Sequence, residues 1–364
     1  MKIYMGVDLH YKQVTYHMIM KDDDGTITRK NGTVPTHQLQ ENFIPLLSTD
    51  TYVCVEATGS TYTFVEMIEK YVKEIFVINP QDFKEICCSG KKTDRIDAKK
   101  LATRLKMHVE DCDPDDGFPA IYIPDKESQQ LRRIFSTYEF INKQIVAVKN
   151  RILSFFRTNL VPVPKLTLSC DVVEIAEKYG FDSIEIFQLK MLSEELSRLQ
   201  SCKKEIQKEI AVLGLNRFPN EIKLLITIPG ISDFTACSIM ADIVDVRRFK
   251  DCKKFTSYLR SAPRVSSSDT VTHIGKIDKK GRKLSFKYMV QAVTHFRKTN
   301  PILGDFYDRK CNGKSKGKVR AAIIRKMFVT IYFMLKNNEP YRFFNNDMYE
   351  RKMREFNKKS QAAA

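Results

Sequence analysis

Residues 2–20 read Lys-Ile-Tyr-Met-Gly-Val-Asp-Leu-His-Tyr-Lys-Gln-Val-Thr-Tyr-His-Met-Ile-Met. β-Branched and aromatic residues are frequent in Lys2 to Asp8 and in Tyr11 to Met20, with Leu9-His10 between them, so the stretch predicts two strands of a hairpin. Asp8 closes the first strand. Further on, Tyr52 to Val55 is an apolar run that stops at Glu56, and Thr58-Gly59-Ser60 introduces an amphipathic helix over Tyr62 to Val72. Glu74 to Ile78 predicts another strand, ended by Asn79-Pro80. From Asp94 to Leu105 the apolar residues Ile96, Leu101 and Leu105 fit a helix, on which Asp94 and Asp97 share one face. Strands alternating with helices predict an α/β sheet, and such sheets carry ligands at their strand ends.

Four carboxylates therefore stand out: Asp8, Glu56, Asp94 and Asp97. Two strand-end acids and two acids on one helix face can hold a pair of hard cations, as phosphodiester chemistry requires. The plain alternative is four solvated acids among the 44 of the chain. Their separate placements at strand ends and on one helix face favour the metal site.

Gly-Val-Asp-Leu-His at 6–10, Glu-Ala-Thr-Gly at 56–59 and Lys-Thr-Asp-x-x-Asp-Ala at 92–98 together resemble the DEDD-type insertion-sequence transposases related to the Piv and MooV invertases. That resemblance implies a RuvC-like ribonuclease-H-fold domain over residues 1–110. It also implies that Asp8, Glu56, Asp94 and Asp97 hold Mg2+, with Mn2+ as an alternative.

Charge is distributed unevenly. Residues 245–364 hold 30 lysines and arginines against 10 acids, whereas residues 1–244 hold 31 against 34. The attraction for phosphates thus belongs to the carboxyl-terminal third, which points to a nucleic-acid partner there. A length of 364 residues allows two or three domains. The amino terminus has no signal-peptide pattern and no apolar run reaches membrane-spanning length, which predicts no membrane association. Nine cysteines with no Cys-x-x-Cys pair and no His-linked cluster predict reduced thiols in the cytoplasm, not zinc ligands or a disulfide framework.

The Pro-, Asp- and Gly-rich stretch Cys112 to Pro124 marks a boundary. Residues 111–215 then predict a linker and long helices: Ser128 to Leu160 and Ile184 to Val212 both carry apolar residues spaced mostly by three and four, as in an antiparallel helical hairpin or coiled coil. Such a stalk serves either plain core packing or dimerisation. Residues 216–345 form a mainly helical section. It opens with Leu224 to Ser232 and the helix-like Phe234 to Ile243, a helix-hairpin-helix pattern whose Pro229-Gly230 turn could aim backbone amides at a phosphate or could simply be scaffold. Residues 346–364 predict a disordered basic tail.

Beyond the helix-like Lys253 to Leu259, Ala262-Pro-Arg-Val-Ser-Ser-Ser-Asp269 predicts a serine-rich loop, followed by the basic turn Ile274 to Gly281. Arg264, Lys276, Lys279, Lys280 and Arg282 are the candidate nucleic-acid contacts, the plain alternative being a flexible polar loop with no ligand. Pro-Arg-x-x-Ser-Ser, followed by Gly-x-Ile and Lys-x-Gly, is similar to the second domain of the same transposase family. The resemblance implies a nucleophilic serine at Ser267, with Ser268 as the rival register and Asp269 where the family usually has Gly. It further implies a recombinase that joins DNA to serine, is guided by a structured noncoding bridge RNA, and works as a dimer or tetramer on donor and target DNA in the prokaryotic cytoplasm at the nucleoid. Two other classes use fewer of these features. A hydrolytic RuvC-like nuclease needs the acids with water as nucleophile, and a non-catalytic nucleic-acid-binding protein needs only the basic section.

Overall fold

A computed structural model describes residues 1–80, 93–111, 117–162, 171–268 and 271–361, with the backbone alone for 266–268, 271, 272, 274 and 359–361. The chain divides into two compact units, Met1–Ile123 and Pro124–Ala364.

The first unit is built on a six-stranded mixed sheet. Its elements are β1 (Lys2–Leu9), β2 (Gln13–Lys21), β3 (Ile27–Pro35), β4 (Thr51–Glu56), α1 (Thr61–Ile68), β5 (Glu74–Ile78), α2 (Asp94–Asp111) and the short β6 (Ala120–Ile121). The strand order is β3-β2-β1-β4-β5-β6. The hairpin expected from residues 2–20 is present, with Asp8 opposite Thr15. β4 runs parallel to β1, and β5 parallel to β4. The helix expected over Tyr62 to Val72 ends earlier, at Ile68, and a single 3-10 turn, Glu69–Tyr71, follows.

Alternation along β1 divides the core in two. Ile3, Met5, Val7 and Leu9 join Phe43, Phe64, Val65 and Ile68 on one face, while Tyr4 packs on the other with Cys54, Leu101, Ala102 and Leu105. The even positions of β1 and β4 therefore face α2. Gly6 lies on that face and lets α2 approach the strand backbone directly.

The second unit is mainly helical. Two long helices, α3 (Lys126–Thr158) and α5 (Ser183–Arg217), flank the short α4 (Val172–Lys178). Their contacts run in opposite directions, from Asp125 with Arg217, through Tyr138 with Gln207 and Asn142 with Lys203, to Asn159 with Glu185. This is the expected antiparallel hairpin. Its far end has a small core of its own, with Ile152, Phe156, Val172, Phe181 and Leu189. Its near end is not a separate stalk, because Leu131, Phe135, Ile210 and Leu215 belong to the same large core as Ile222, Ile239, Phe255, Phe296 and Phe328.

The helix-hairpin-helix reading corresponds to α6 (Pro219–Ile226), a turn with Gly230 at φ +88°, and α7 (Asp233–Ile243). After α8 (Cys252–Tyr258) the stretch read as a serine-rich loop is instead an antiparallel ribbon, β7 (Pro263–Ser268) with β8 (Val271–Ile277). Backbone pairing of Val265, Val271, Thr272 and Ile274, residues that favour strands, outweighs the turn preference of the serines. The helices α9 (Leu284–Thr299), α10 (Pro301–Cys311), α11 (Lys316–Asn337) and α12 (Asn346–Gln361) complete the unit.

Over residues 346–361, α12 corrects the expectation of a disordered tail at 346–364; residues 362–364 lie outside the described residues. Phe356 is buried, Tyr349 and Met353 pack on the main core, and the Lys352 ammonium donates to the carbonyls of Ile226, Ile228 and Ile231 at 2.7, 2.9 and 2.8 Å. Cys54, Cys202, Cys237, Cys252 and Cys311 are outside any disulfide among the described residues. Cys87, Cys88, Cys112, Cys170 and Asp269 lie outside the described residues. No helix among the described residues is long and apolar enough to cross a membrane.

Candidate active site

The acids of the first unit are assembled by backbone register. Val7 pairs with Val55 in the parallel β1–β4 ladder, so Asp8 and Glu56 follow side by side on neighbouring strands and share the face turned toward α2. The turn after Glu56 is held by the Thr61 hydroxyl, which donates to the Glu56 carbonyl at 2.8 Å and accepts from the Thr58 amide at 2.8 Å. At the start of α2, Thr93 Oγ1 accepts from the Ile96 amide, which places Asp94 and Asp97 in the first helical turn. There the unpaired amides and the helix dipole favour negative charge.

Asp8, His10 and Asp94 offer ligand atoms that all lie within 4.8 Å of one another. His10 Nε2 stands 3.3 Å from Asp8 Oδ2 and 3.6 Å from Asp94 Oδ1, and Gln13 Nε2 donates to Asp94 Oδ2 at 3.3 Å. Glu56 and Asp97 are outside that group of three. Partial burial pushes the Asp8 carboxyl above its ordinary range; His10 pulls it down, and the Asp94 and Asp97 carboxylates push it further up. Asp97 is therefore electrostatically coupled to the group. Its Oδ1 is buried and has no hydrogen-bond partner among the described residues, and Glu56 Oε1 is likewise shielded from solvent. Carboxylates held close against their mutual repulsion, with the buried Asp97 Oδ1 coupled to them and lacking a donor among the described residues, fit a divalent cation.

Sequence reasoning did not single out His10, although it is the last residue of the Gly-Val-Asp-Leu-His motif. The available signal was its spacing. In extended chain, residues two apart project to the same side, so His10 follows Asp8.

In the second unit Ser267 lies on β7, paired through the backbone with Thr272 across the ribbon. Its side chain lies outside the described residues, as does that of Ser268. Arg264 Nε is 3.2 Å from Asp278 Oδ1, and the same carboxylate oxygen accepts from the Lys280 amide at 3.1 Å. The Lys280 amide and the Arg264 guanidinium hold the Asp278 carboxyl below the usual range, against slight desolvation. Lys276, Lys279 and Lys280 are exposed. Arg282 has a further task, since its Nε donates to Asp242 Oδ1 at 2.9 Å, and Asp242 is fully buried and also accepts from the amide and hydroxyl of Ser285.

Residues 5–159 match a transposase family model, the DEDD transposase of IS110 elements, and residues 222–308 match the Transposase IS116/IS110/IS902 family. Two separate stretches of the chain thus match transposase family models. The first match contains all four acids and α2, and the second contains the β7–β8 ribbon and Ser267. The pilin gene-inverting proteins of Moraxella bovis and Moraxella lacunata are each 31% identical to this chain over 122 residues, 32% of it. The match spans 38% of the length of each relative.

Proposed function

We propose that this protein is a DNA transposase that cleaves and exchanges strands, with Asp8, Glu56, Asp94 and Asp97 as its metal-holding acids and Ser267 as its nucleophile. The observation that carries the reading is the meeting of Asp8 from the sheet and Asp94 from α2 within metal-ligand spacing. The two IS110-family domain matches and the relatives named for inverting a pilin gene support it. The mixed sheet of the first unit supports a RuvC-like fold.

A serine hydroxyl is a weak nucleophile at neutral pH and needs help to lose its proton. A divalent cation on the acids supplies charge that polarises the phosphoryl group and acidifies a bound hydroxyl. Ser267 Oγ forms a bond to phosphorus while the bond from phosphorus to one bridging oxygen breaks. A proton passes, overall, from the serine to the departing strand, which becomes a free hydroxyl. The result is a phosphoserine-linked DNA end. Attack by another strand's hydroxyl reverses the step and regenerates the serine, so strands exchange with no external energy. Arg264 and the exposed Lys276, Lys279 and Lys280 neutralise phosphate charge near the ribbon, with Arg282 at its base. The family resemblance extends the reading to a bridge RNA as guide and to a dimer or tetramer as the working form. Sequencing the RNA that copurifies with the protein tests the guide; a discrete noncoding species is expected.

The central test is a cleavage reaction stopped with denaturant. Protein should be covalently attached to DNA, with the adduct on the peptide bearing Ser267, and Ser267→Ala should lose both adduct and exchange while binding DNA as before. If only Ser268→Ala fails, the nucleophile is Ser268. If both variants cleave normally, water is the nucleophile and the protein is a hydrolytic nuclease.

A further inference from the structure

The group formed by Asp8 and Asp94 includes a nitrogen donor. We propose that His10 Nε2 is itself a ligand of the divalent cation held there, making an N/O site that takes a first-row transition ion such as Mn2+ in preference to Mg2+. The inference rests on the acidic-site reading above and adds a residue and an ion class to it.

The geometry carries the argument. In an octahedral site with bonds of about 2.1 Å, adjacent ligands stand ~3 Å apart. His10 Nε2 lies at 3.3 Å from Asp8 Oδ2 and 3.6 Å from Asp94 Oδ1, close to that spacing, and ligand atoms of all three residues lie within 4.8 Å of one another. Three different elements of local structure bring them together: the end of β1, the tight turn closed by the His10 amide donating to the Gln13 carbonyl, and the first turn of α2. Asp8 has 15% of its side-chain surface exposed, against 55% for His10 and 43% for Asp94, so the site has a shielded floor and an open mouth through which an ion and a phosphate can enter. An ordinary exposed histidine–aspartate pair would add little stability and would not require a second carboxylate near the same ring nitrogen.

Ligand chemistry then decides the ion. Mg2+ is a hard ion that prefers oxygen ligands and retains its waters, whereas an imidazole nitrogen raises affinity for first-row transition ions more than for Mg2+. A site with one nitrogen and several carboxylate oxygens therefore discriminates by donor type, not by size alone.

The test uses full-length protein and metal alone. Electron spin echo spectroscopy of bound Mn2+ should show coupling to a nitrogen nucleus, and His10→Ala should abolish that coupling while weakening Mn2+ binding by about tenfold or more. Mg2+ affinity should change far less. His10→Gln, which offers oxygen in place of the ring nitrogen, should lose the coupling yet recover part of the affinity. If the wild type binds Mn2+ without nitrogen coupling and His10→Ala binds it equally well, His10 is not a ligand, although the acidic site stands. If Asp8→Asn and Asp94→Asn also leave Mn2+ binding unchanged, the acidic-site reading itself fails.

Discussion

A Cβ placed on Gly6 would stand 2.1 Å from the carbonyl oxygen of Ala98 and 2.4 Å from the amide nitrogen of Ala102. The backbone of α2 thus rests directly on β1, two residues before Asp8, and this close approach brings Asp94 and Asp97 to the strand end. Gly6→Ala must push the helix away. The expected cost is about 1–3 kcal/mol of stability, as for overpacking elsewhere. A shift of the acids by about 1 Å should also lower strand cleavage by roughly a hundredfold. Urea unfolding and a cleavage assay check the two effects. Unchanged cleavage in a variant whose unfolding midpoint has fallen would mean that the contact serves stability alone.

Much of this unit is legible in the sequence because its central strands are buried and patterned accordingly. Residues 2–20, 51–56 and 74–78 carry the β-branched and aromatic residues of a core sheet, and β5 occupies Glu74–Ile78 as read. β3 escaped notice because it is an edge strand with Thr28, Arg29, Lys30 and Asn31 exposed, leaving Val34 as its buried residue. The acids could be located on strand ends and one helix face; the two-residue spacing places His10 on the side of Asp8, but its approach to Asp94 also depends on the turn closed by the His10 amide on the Gln13 carbonyl, which no periodicity reports. At the other end of the chain, α12 is strongly charged and reads as a tail. Its order comes from tertiary anchors, Phe356 and Lys352, to which local composition is blind.

Asp125 ties the two ends of the helical hairpin. Its carboxylate accepts from the amide and hydroxyl of Ser128 at the start of α3 and pairs with Arg217 at the end of α5. Burial pushes this carboxyl up, but Arg217 and Ser128 outweigh it and hold it at about 2, below the ordinary 3.8. A folded-state value below the unfolded one contributes stability that is complete above the unfolded value and is lost as pH falls through the folded one. Both side chains are more than a third exposed, so solvent screening reduces the pair's contribution to about 1 kcal/mol. Asp125→Ala should therefore destabilise by about 1–2 kcal/mol at neutral pH, cap included. The gap from wild type should narrow between pH 4 and 2. A gap independent of pH in urea titrations would contradict the pairing.

The basic residues near the ribbon should separate into two kinds. Lys279 and Lys280 are exposed, so replacing both with alanine should weaken DNA binding similarly on every sequence and make the dependence of log affinity on log salt shallower by roughly one to two. Arg282 supports the buried Asp242 carboxylate, and Arg282→Ala should cost about 2 kcal/mol in unfolding experiments. The salt slope and the urea midpoint, measured on both variants, distinguish them. A double lysine variant with the wild-type slope would remove this turn from the DNA-binding surface.

Lys352 reaches from α12 to the turn between α6 and α7, where three carbonyls converge on its ammonium. The side of the Pro229-Gly230 turn that meets α12 thus presents acceptors, and the chain's own cation satisfies them. Lys352→Met keeps most of the side chain's length and apolar stem but removes the donor. It should cost roughly 1–3 kcal/mol, because the carbonyls of Ile226, Ile228 and Ile231 lose a charged partner in a part-buried site. Hydrogen exchange should rise together in Asn346–Gln361 and in residues 227–232, while β1 and β4 in the first unit exchange as before. If α12 exchanges no faster in Lys352→Met than in wild type, Phe356 and its apolar neighbours hold the helix by themselves and the lysine contributes no anchoring.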